Sequence, residues 1–348
     1  MQAIRFEDLS GWGSDDHLAA LKTFASQSLK PRREIYRRGQ IGVTPTSFDG
    51  LIDQAQSAAA QADPQQFFEQ NFRAIKIFNG EGRAGRLTAF YEPEVEARLN
   101  PSGKFQTPVL RRPPDLIALN DDNRPEQLDR TWRFGRQKSD GTIGPYFDRA
   151  QINAGALDAD RLALAFLADP IEAFFIHIQG AARLRLEDGS LLRITYDGKS
   201  GHPLTALGRV LADRGEIPVQ DVSMQSIKAW LRTHPDKAMP LMEENRSYIF
   251  FRQSPPCDDQ LGPVAAAKVP LTAGRSLAVD RLLHTFGTPV FVNADNVNGA
   301  PFARLMIAQE TGTAIVGPAR GDLFCGSGSA AGQLAGAVNS ACDFTLLI

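Results

Sequence analysis

The stretch AQETGTAIVGPARGDLFCGSG, residues 308–328, sets two carboxylates, Glu310 and Asp322, among glycines and apolar residues of β type. Only Asp322 has glycines on both sides, Gly317 and Gly321 before it and Gly326 and Gly328 after it. Glycine takes positive φ and lets backbone approach a ligand. A carboxylate held there can meet a substrate and serve as a general acid. Gly-Asp pairs also make plain turns, so this spacing alone leaves both readings open.

Outward from that stretch, composition sets the limits. At 348 residues the chain exceeds one ordinary core, and two domains are expected. Hydrophobic content of 43% with 22% charged residues describes a soluble globular protein. A net charge of −2 gives no electrostatic case for nucleic acid. Cys257, Cys325 and Cys342 form no C-x-x-C pair, which removes the usual zinc and thioredoxin readings. A Cys325–Cys342 bridge stays open beside the plainer reading of three free thiols. No stretch nears the roughly 20 apolar residues of a spanning helix. The opening MQAIRFEDLSGWGSDD lacks the basic start, apolar middle and cleavage site of a signal peptide, and it has no lipid-attachment cysteine.

Periodicity gives the elements. Ser14 is expected to cap a helix with Asp15 and Asp16 in its first turn and an apolar face of Leu18, Leu21, Ala25 and Leu29. A second helical region, residues 48–60, breaks near Pro64 and resumes through Phe67, Phe68 and Phe72. From Gly85, Leu87, Ala89 and Tyr91 alternate with Thr88 and Phe90, as in a strand. The prolines of TPVLRRPPD, residues 107–115, mark a junction. Asp188-Gly189 predicts a type I′ hairpin. Ser223 and Pro235 each start a helix. Strands are expected at 248–251, 290–292, 305–308, 313–316 and 344–348, with a helix over 330–338 before the last. Short strands with long connections argue for barrels, so the expected class is mainly β with peripheral helices.

Longer blocks narrow the choice. VPLTAGRSLAVDRLLHTFGTPVFV (269–292), followed by AQETGTAIVGPARGDLFCGSGSAAGQLAG (308–336), resembles the C-terminal three-aspartate domain of the membrane-bound lytic murein transglycosylase A family. LTAFYEPEVEARL (87–99), FFIHIQGAARLRLEDGSLLRITYDGKSGHP (174–203) and SMQSIKAWLRTHP (223–235) look like the family's other blocks. The resemblance runs from about residue 86 to 342. It implies a double-psi β-barrel built from residues 1–105 and 246–348, with a smaller, barrel-like β-domain inserted at 106–245 and a glycan groove between the two.

The activity it implies is cleavage of the β-1,4 bond between N-acetylmuramic acid and N-acetylglucosamine without water, leaving 1,6-anhydromuramic ends. Asp322 aligns with the family's catalytic aspartate and would act first as acid and then as base. Ordinary glycosidases need a second carboxylate. Here the sugar's own C6 hydroxyl is the nucleophile, and tethering replaces a high reactant concentration. Asp322 must then hold a proton near neutral pH, through burial or a neighbouring negative charge. Asp280 and Glu310 complete the three-aspartate pattern in supporting roles, with Glu where the family usually has Asp.

By the same resemblance Thr88, Tyr91, Gln179 and Gly321 contact substrate. Glu92 is a weaker choice for a second carboxylate, and His177 reads as a buried histidine. Lys268, Arg275 and Arg320 are options for the lactyl or peptide carboxylates of murein, against a default of plain solvent exposure. No metal spacing is present, and the reaction needs neither metal nor cofactor. The implied partners are peptidoglycan strands and other cell-wall enzymes, with no nucleic acid, for a monomer in the periplasm or outer membrane of a Gram-negative cell. Two alternatives stand beside this reading: an inverting β-glycan hydrolase on a barwin-like barrel, and a non-catalytic murein-binding protein.

Overall fold

The computed structural model describes residues 1–27, 38–82, 84–255 and 258–348, so Leu29 and Cys257 lie outside the described residues. The chain divides into two units, Met1–Tyr91 with Cys257–Ile348, and Glu92–Pro256. The junctions are therefore not near 105 and 245, and strand pairing gives the reason. Glu94–Arg98 pairs with Ala181–Arg185 and Ala163–Leu167, and Ile249–Gln253 pairs with Leu191–Lys199, all inside the second unit. The proline-rich stretch that reads as a linker carries the strand Thr107–Leu110, hydrogen-bonded to Ala163–Leu167.

In the first unit six strands close into a ring. The order is Gly85–Glu92, Asn339–Leu347, Pro289–Val297, Ala300–Glu310, Ser276–Val279 and Arg320–Ser327, which returns to Gly85–Glu92. Inward residues recur at every second position, and Leu87, Leu277, Val279, Val290, Val292 and Phe344 fill the barrel. The last strand is longer than the sequence predicts. Its exposed residues Asn339, Ala341 and Asp343 alternate with buried Cys342 and Phe344, a half-buried pattern hidden by their small or polar character.

Helices cover one flank of this barrel. His17–Ala25, Asp49–Ala55 and Pro64–Asn71 bring Phe24, Phe67 and Phe68 onto Phe291, Leu305 and Leu347. The first helix starts later than expected. Asp16 is its cap, accepting the Ala19 N–H at 3.0 Å, while the Ser14 hydroxyl is used by the Gly11 carbonyl at 2.9 Å. The helical run breaks at Asp63 as expected and resumes with Pro64 at the first helical position, which needs no N–H.

The second unit is a six-stranded sheet ordered Ile249–Gln253, Leu191–Lys199, Ala181–Arg185, Glu94–Arg98, Ala163–Leu167 and Thr107–Leu110. A bridge from Arg111 to Phe251 joins its two ends. The Asp188-Gly189 hairpin forms but is not type I′, which needs positive φ at both residues. Gly189 has φ +83° while the Asp188 carboxylate instead binds the Ser190 N–H at 2.9 Å. Beside the sheet, Phe174, Leu211, Trp230, Leu231 and Leu241 form a separate helical core. Ser223 caps Met224–Thr233 through a capping box with Ser226.

The architecture is thus mixed α/β rather than mainly β, because the helices of each unit bury large side chains in cores of their own. The strand expected at 313–316 is an irregular turn, with the Ile315 N–H on the Gly312 carbonyl at 3.0 Å. Among the described residues no helix is long and apolar enough to cross a membrane.

Candidate active site

Asp322 lies in the strand Arg320–Ser327, partly buried, and meets Thr88 from the neighbouring strand Gly85–Glu92. Arg320 Nη2 donates to Thr88 Oγ1 at 2.7 Å. A hydroxyl has one hydrogen, so Thr88 gives its own to Asp322 Oδ1. Oδ2 has no hydrogen-bond partner among the described residues and is the oxygen free to carry a proton. Burial pushes the Asp322 carboxyl above the usual range, against the Thr88 hydrogen bond and the Arg320 charge, which both pull it down. Of the two causes of a raised pKa read from the sequence, burial is the one at work; a neighbouring carboxylate is not among them.

Arg320 is the residue underrated by the sequence reading. It stands two positions before Asp322, on the same strand face, so the period-2 rule could have joined them. Its guanidinium also binds the Gly321 carbonyl. Gly321 itself points the other way, into the barrel: a Cβ there would come within 3.0 Å of both Leu277 and Phe344. A larger residue there would press on both side chains.

Glu310 is two strands round the barrel from Asp322. Ala278 pairs with Asp322 on one side and with Glu310 on the other. Burial raises the Glu310 carboxyl to about 7, although it accepts the Thr311 N–H at 2.7 Å and the Ala266 N–H at 3.0 Å. Asp280 is buried and ties the backbone together, accepting the Leu282 N–H at 3.0 Å and the Gly317 N–H at 2.9 Å. Gly317, with φ +117°, opens the turn that leads into the Asp322 strand.

The remaining residues read from the sequence are dispersed. The strand Gly85–Glu92 runs without a break, so Tyr91 faces away from Thr88 and is buried against helix Gly328–Ala337. A Cβ at Gly332 would fall 2.7 Å from the Tyr91 ring. Arg275 is held in a buried ion pair with Asp15, through two bonds of 2.9 Å. Lys268 is exposed.

Glu92 and Gln179 belong to the second unit. Glu92 is locked in a buried pair with Arg183 at 2.8 Å. Gln179 is half-buried at the end of helix Pro170–Gln179. His177 is a buried histidine, with Arg149 Nη1 3.1 Å from its Nδ1, and burial followed by the Arg149 charge holds its pKa well below normal. Cys325 and Cys342 are free, with burial raising their thiols to about 11 and about 12. No group of three or more metal-ligating side chains occurs among the described residues.

Residues 86–252 match the model of the MltA specific insert domain, and residues 275–348 match the 3D domain. Membrane-bound lytic murein transglycosylase A of Escherichia coli K12 is 34% identical over 263 residues, which are 73% of this chain. That match spans 63% of the relative's own length. A crystal structure of a membrane-bound lytic murein transglycosylase from Agrobacterium tumefaciens superimposes with a TM-score of 0.90 at 44% identity, covering 100% of this chain and 97% of the other. E. coli MltA with bound chitohexaose gives 0.72 at 26% identity, covering 98% and 90%. At 44% identity over nearly the whole of the Agrobacterium chain, with both domain models matched in order, the protein belongs to the membrane-bound lytic murein transglycosylase A family.

Proposed function

We propose that the protein is a peptidoglycan lytic transglycosylase of the cell envelope, in the periplasm or at the outer membrane. The observation that carries this reading is the Asp322 carboxyl. Burial holds it toward the protonated state, and its one anchored oxygen leaves the other for a proton. Asp322 gives that proton to the glycosidic oxygen as the C1–O bond breaks. The C6 hydroxyl of the same muramic residue attacks C1 and returns its proton to Asp322. No water is consumed, and the acid is regenerated.

In this scheme Thr88 and Arg320 are positioning residues, and the conflict between them and burial is useful. Burial alone would favour a permanent acid; the Thr88 hydrogen bond and the Arg320 charge stabilise the carboxylate that must form midway. Glu310 and Asp280 support the strand and turn that carry Asp322. In the second unit, Gln179 is proposed to hydrogen-bond an acetamido or hydroxyl group of the glycan. The closed ring, with Ser276–Val279 parallel to Ala300–Glu310 and antiparallel to Arg320–Ser327, supports reading the barrel as double-psi.

The test is mass spectrometry of murein digested by the wild-type protein and by Asp322→Asn. Anhydromuropeptides from the wild type alone support the proposal. Reducing-end products would mean hydrolysis instead, and bound but uncut murein would mean a binding protein.

A further inference from the structure

Beside the Asp322 site, on the face that bears Thr88, an open cavity of about 500 Å³ is lined by Asp295, Asn296, Asn298, Asn339 and Ser340. Asn339 pairs with Thr88 across the strands, so their side chains share a face. Arg86, two residues before Thr88, is on that face too. Arg86 Nε donates to Asn339 Oδ1 at 2.9 Å, which fixes the guanidinium at the cavity's edge. Its two terminal nitrogens have no hydrogen-bond partner among the described residues. Burial first, and then the Arg86 charge, lower the pKa of Arg320, so both cations act in the same small region.

We infer that this cavity is a subsite for the peptide stem of the substrate, with a stem carboxylate on the free edge of Arg86 and stem amides on the asparagine side chains. The inference rests on the lytic transglycosylase reading and adds the part of murein that a bare glycan lacks. A planar guanidinium with both terminal nitrogens free matches a carboxylate in fork geometry along that edge. Asn296 Oδ1 takes the Gly299 N–H and Asn298 Nδ2 donates to the Leu334 carbonyl, which leaves the Asn296 amide N–H groups as donors and Asn298 Oδ1 as an acceptor for a peptide backbone. Asp295 is the charged residue in the cavity lining, and it repels a carboxylate from that wall. The anion is thereby directed to the Arg86 end. Two of the three carboxylate contacts suggested by the sequence fit less well: Arg275 is consumed by Asp15 and Arg320 by Thr88 and Gly321.

The experiment compares soluble glycan oligomers that keep their stem peptides with the same oligomers stripped of them by an amidase. The readout is kcat/KM for anhydromuramic product on each substrate with wild type, Arg86→Gln and Arg86→Lys. The expected result is a fall of about three- to tenfold in the preference of Arg86→Gln for peptide-bearing oligomers, the size of one solvent-screened ion pair or ordinary hydrogen bond. Arg86→Lys should recover part of it, which a folding defect would not allow. An equal effect on both substrates, or no effect on either, overturns the subsite while leaving the lyase reading intact. Absence of anhydromuramic ends from both substrates with wild type overturns the lyase reading, and the subsite with it.

Discussion

Asp322 and Glu310 lie on opposite sides of Ala278, each paired with it across one strand boundary. Two strand spacings of about 4.8 Å put their backbones about 10 Å apart. Each carboxyl is raised chiefly by its own burial, and neither acts among the causes that shift the other. They are neighbours in register but titrate separately.

Activity should therefore respond to the groups that touch Asp322 and not to Glu310. An acid works only while protonated, so turnover falls as pH rises through the Asp322 pKa. Thr88→Val removes a hydrogen bond that favours the carboxylate. The alkaline limb of its pH–rate profile should move to higher pH, with kcat lowered about tenfold or more as the acid loses its orientation. Glu310→Gln should leave the limb where it is. A shift with Glu310→Gln, or a downward shift with Thr88→Val, would contradict this assignment.

Glu310 should instead appear in stability. Its folded pKa of about 7 lies above the ordinary 4.5. The folded state thus holds the proton more tightly between those values, and stability falls as pH rises from 4.5 through 7. The loss is on the order of 3 kcal/mol. Urea unfolding of Glu310→Gln across that window should show a flatter pH dependence than the wild type, whatever the constant offset from its altered hydrogen bonds.

Gly332→Ala sets two effects against each other. In a helix, alanine gains about 1 kcal/mol over glycine. The new methyl would meet the Tyr91 ring at 2.7 Å, and forcing such an overlap costs about 1–3 kcal/mol. Net destabilisation is expected in thermal unfolding. Stabilisation would mean that Tyr91 is free to leave its place under the helix.

Asp15→Ala should cost about 3–5 kcal/mol, because it leaves Arg275 buried without its counter-charge. The loss should be read in the denaturation midpoint, with murein affinity of the folded protein little changed. A selective loss of affinity would return Arg275 to the substrate.

Much of the site was legible in the sequence because chemistry and spacing coincide there. The glycines around Asp322 left a turn and a site both open; the resemblance of the blocks at 87–99 and 308–336 singled out Thr88 and Asp322, which the structure brings into contact. Arg320 was underrated because partner choice is decided by strands far apart in sequence. Asp188 shows the limit for turns: its side chain binds Ser190, an option invisible in the Asp-Gly signal. The junction near 105 was misplaced because prolines were read as a linker, whereas Pro108 sits in a strand paired through Phe166. Helix content was underweighted because Pro170–Gln179 and Leu207–Asp213 were not expected as helices: Phe174 and Leu211 report burial but not which element buries them.

The closed ring has a kinetic consequence. The strand bearing Thr88 and the strand bearing Asp322 are neighbours in space, yet the whole of Glu92–Pro256 is threaded between them in the chain. The entropy of closing a loop grows with its length, and such non-local pairings form slowly. While the insert is uncollapsed, the barrel must close around a long floppy excursion; once it has condensed, the effective loop is short. A substitution in the core of Phe174, Leu211 and Leu231 should then delay the meeting of Thr88 and Asp322 during refolding, without touching either residue.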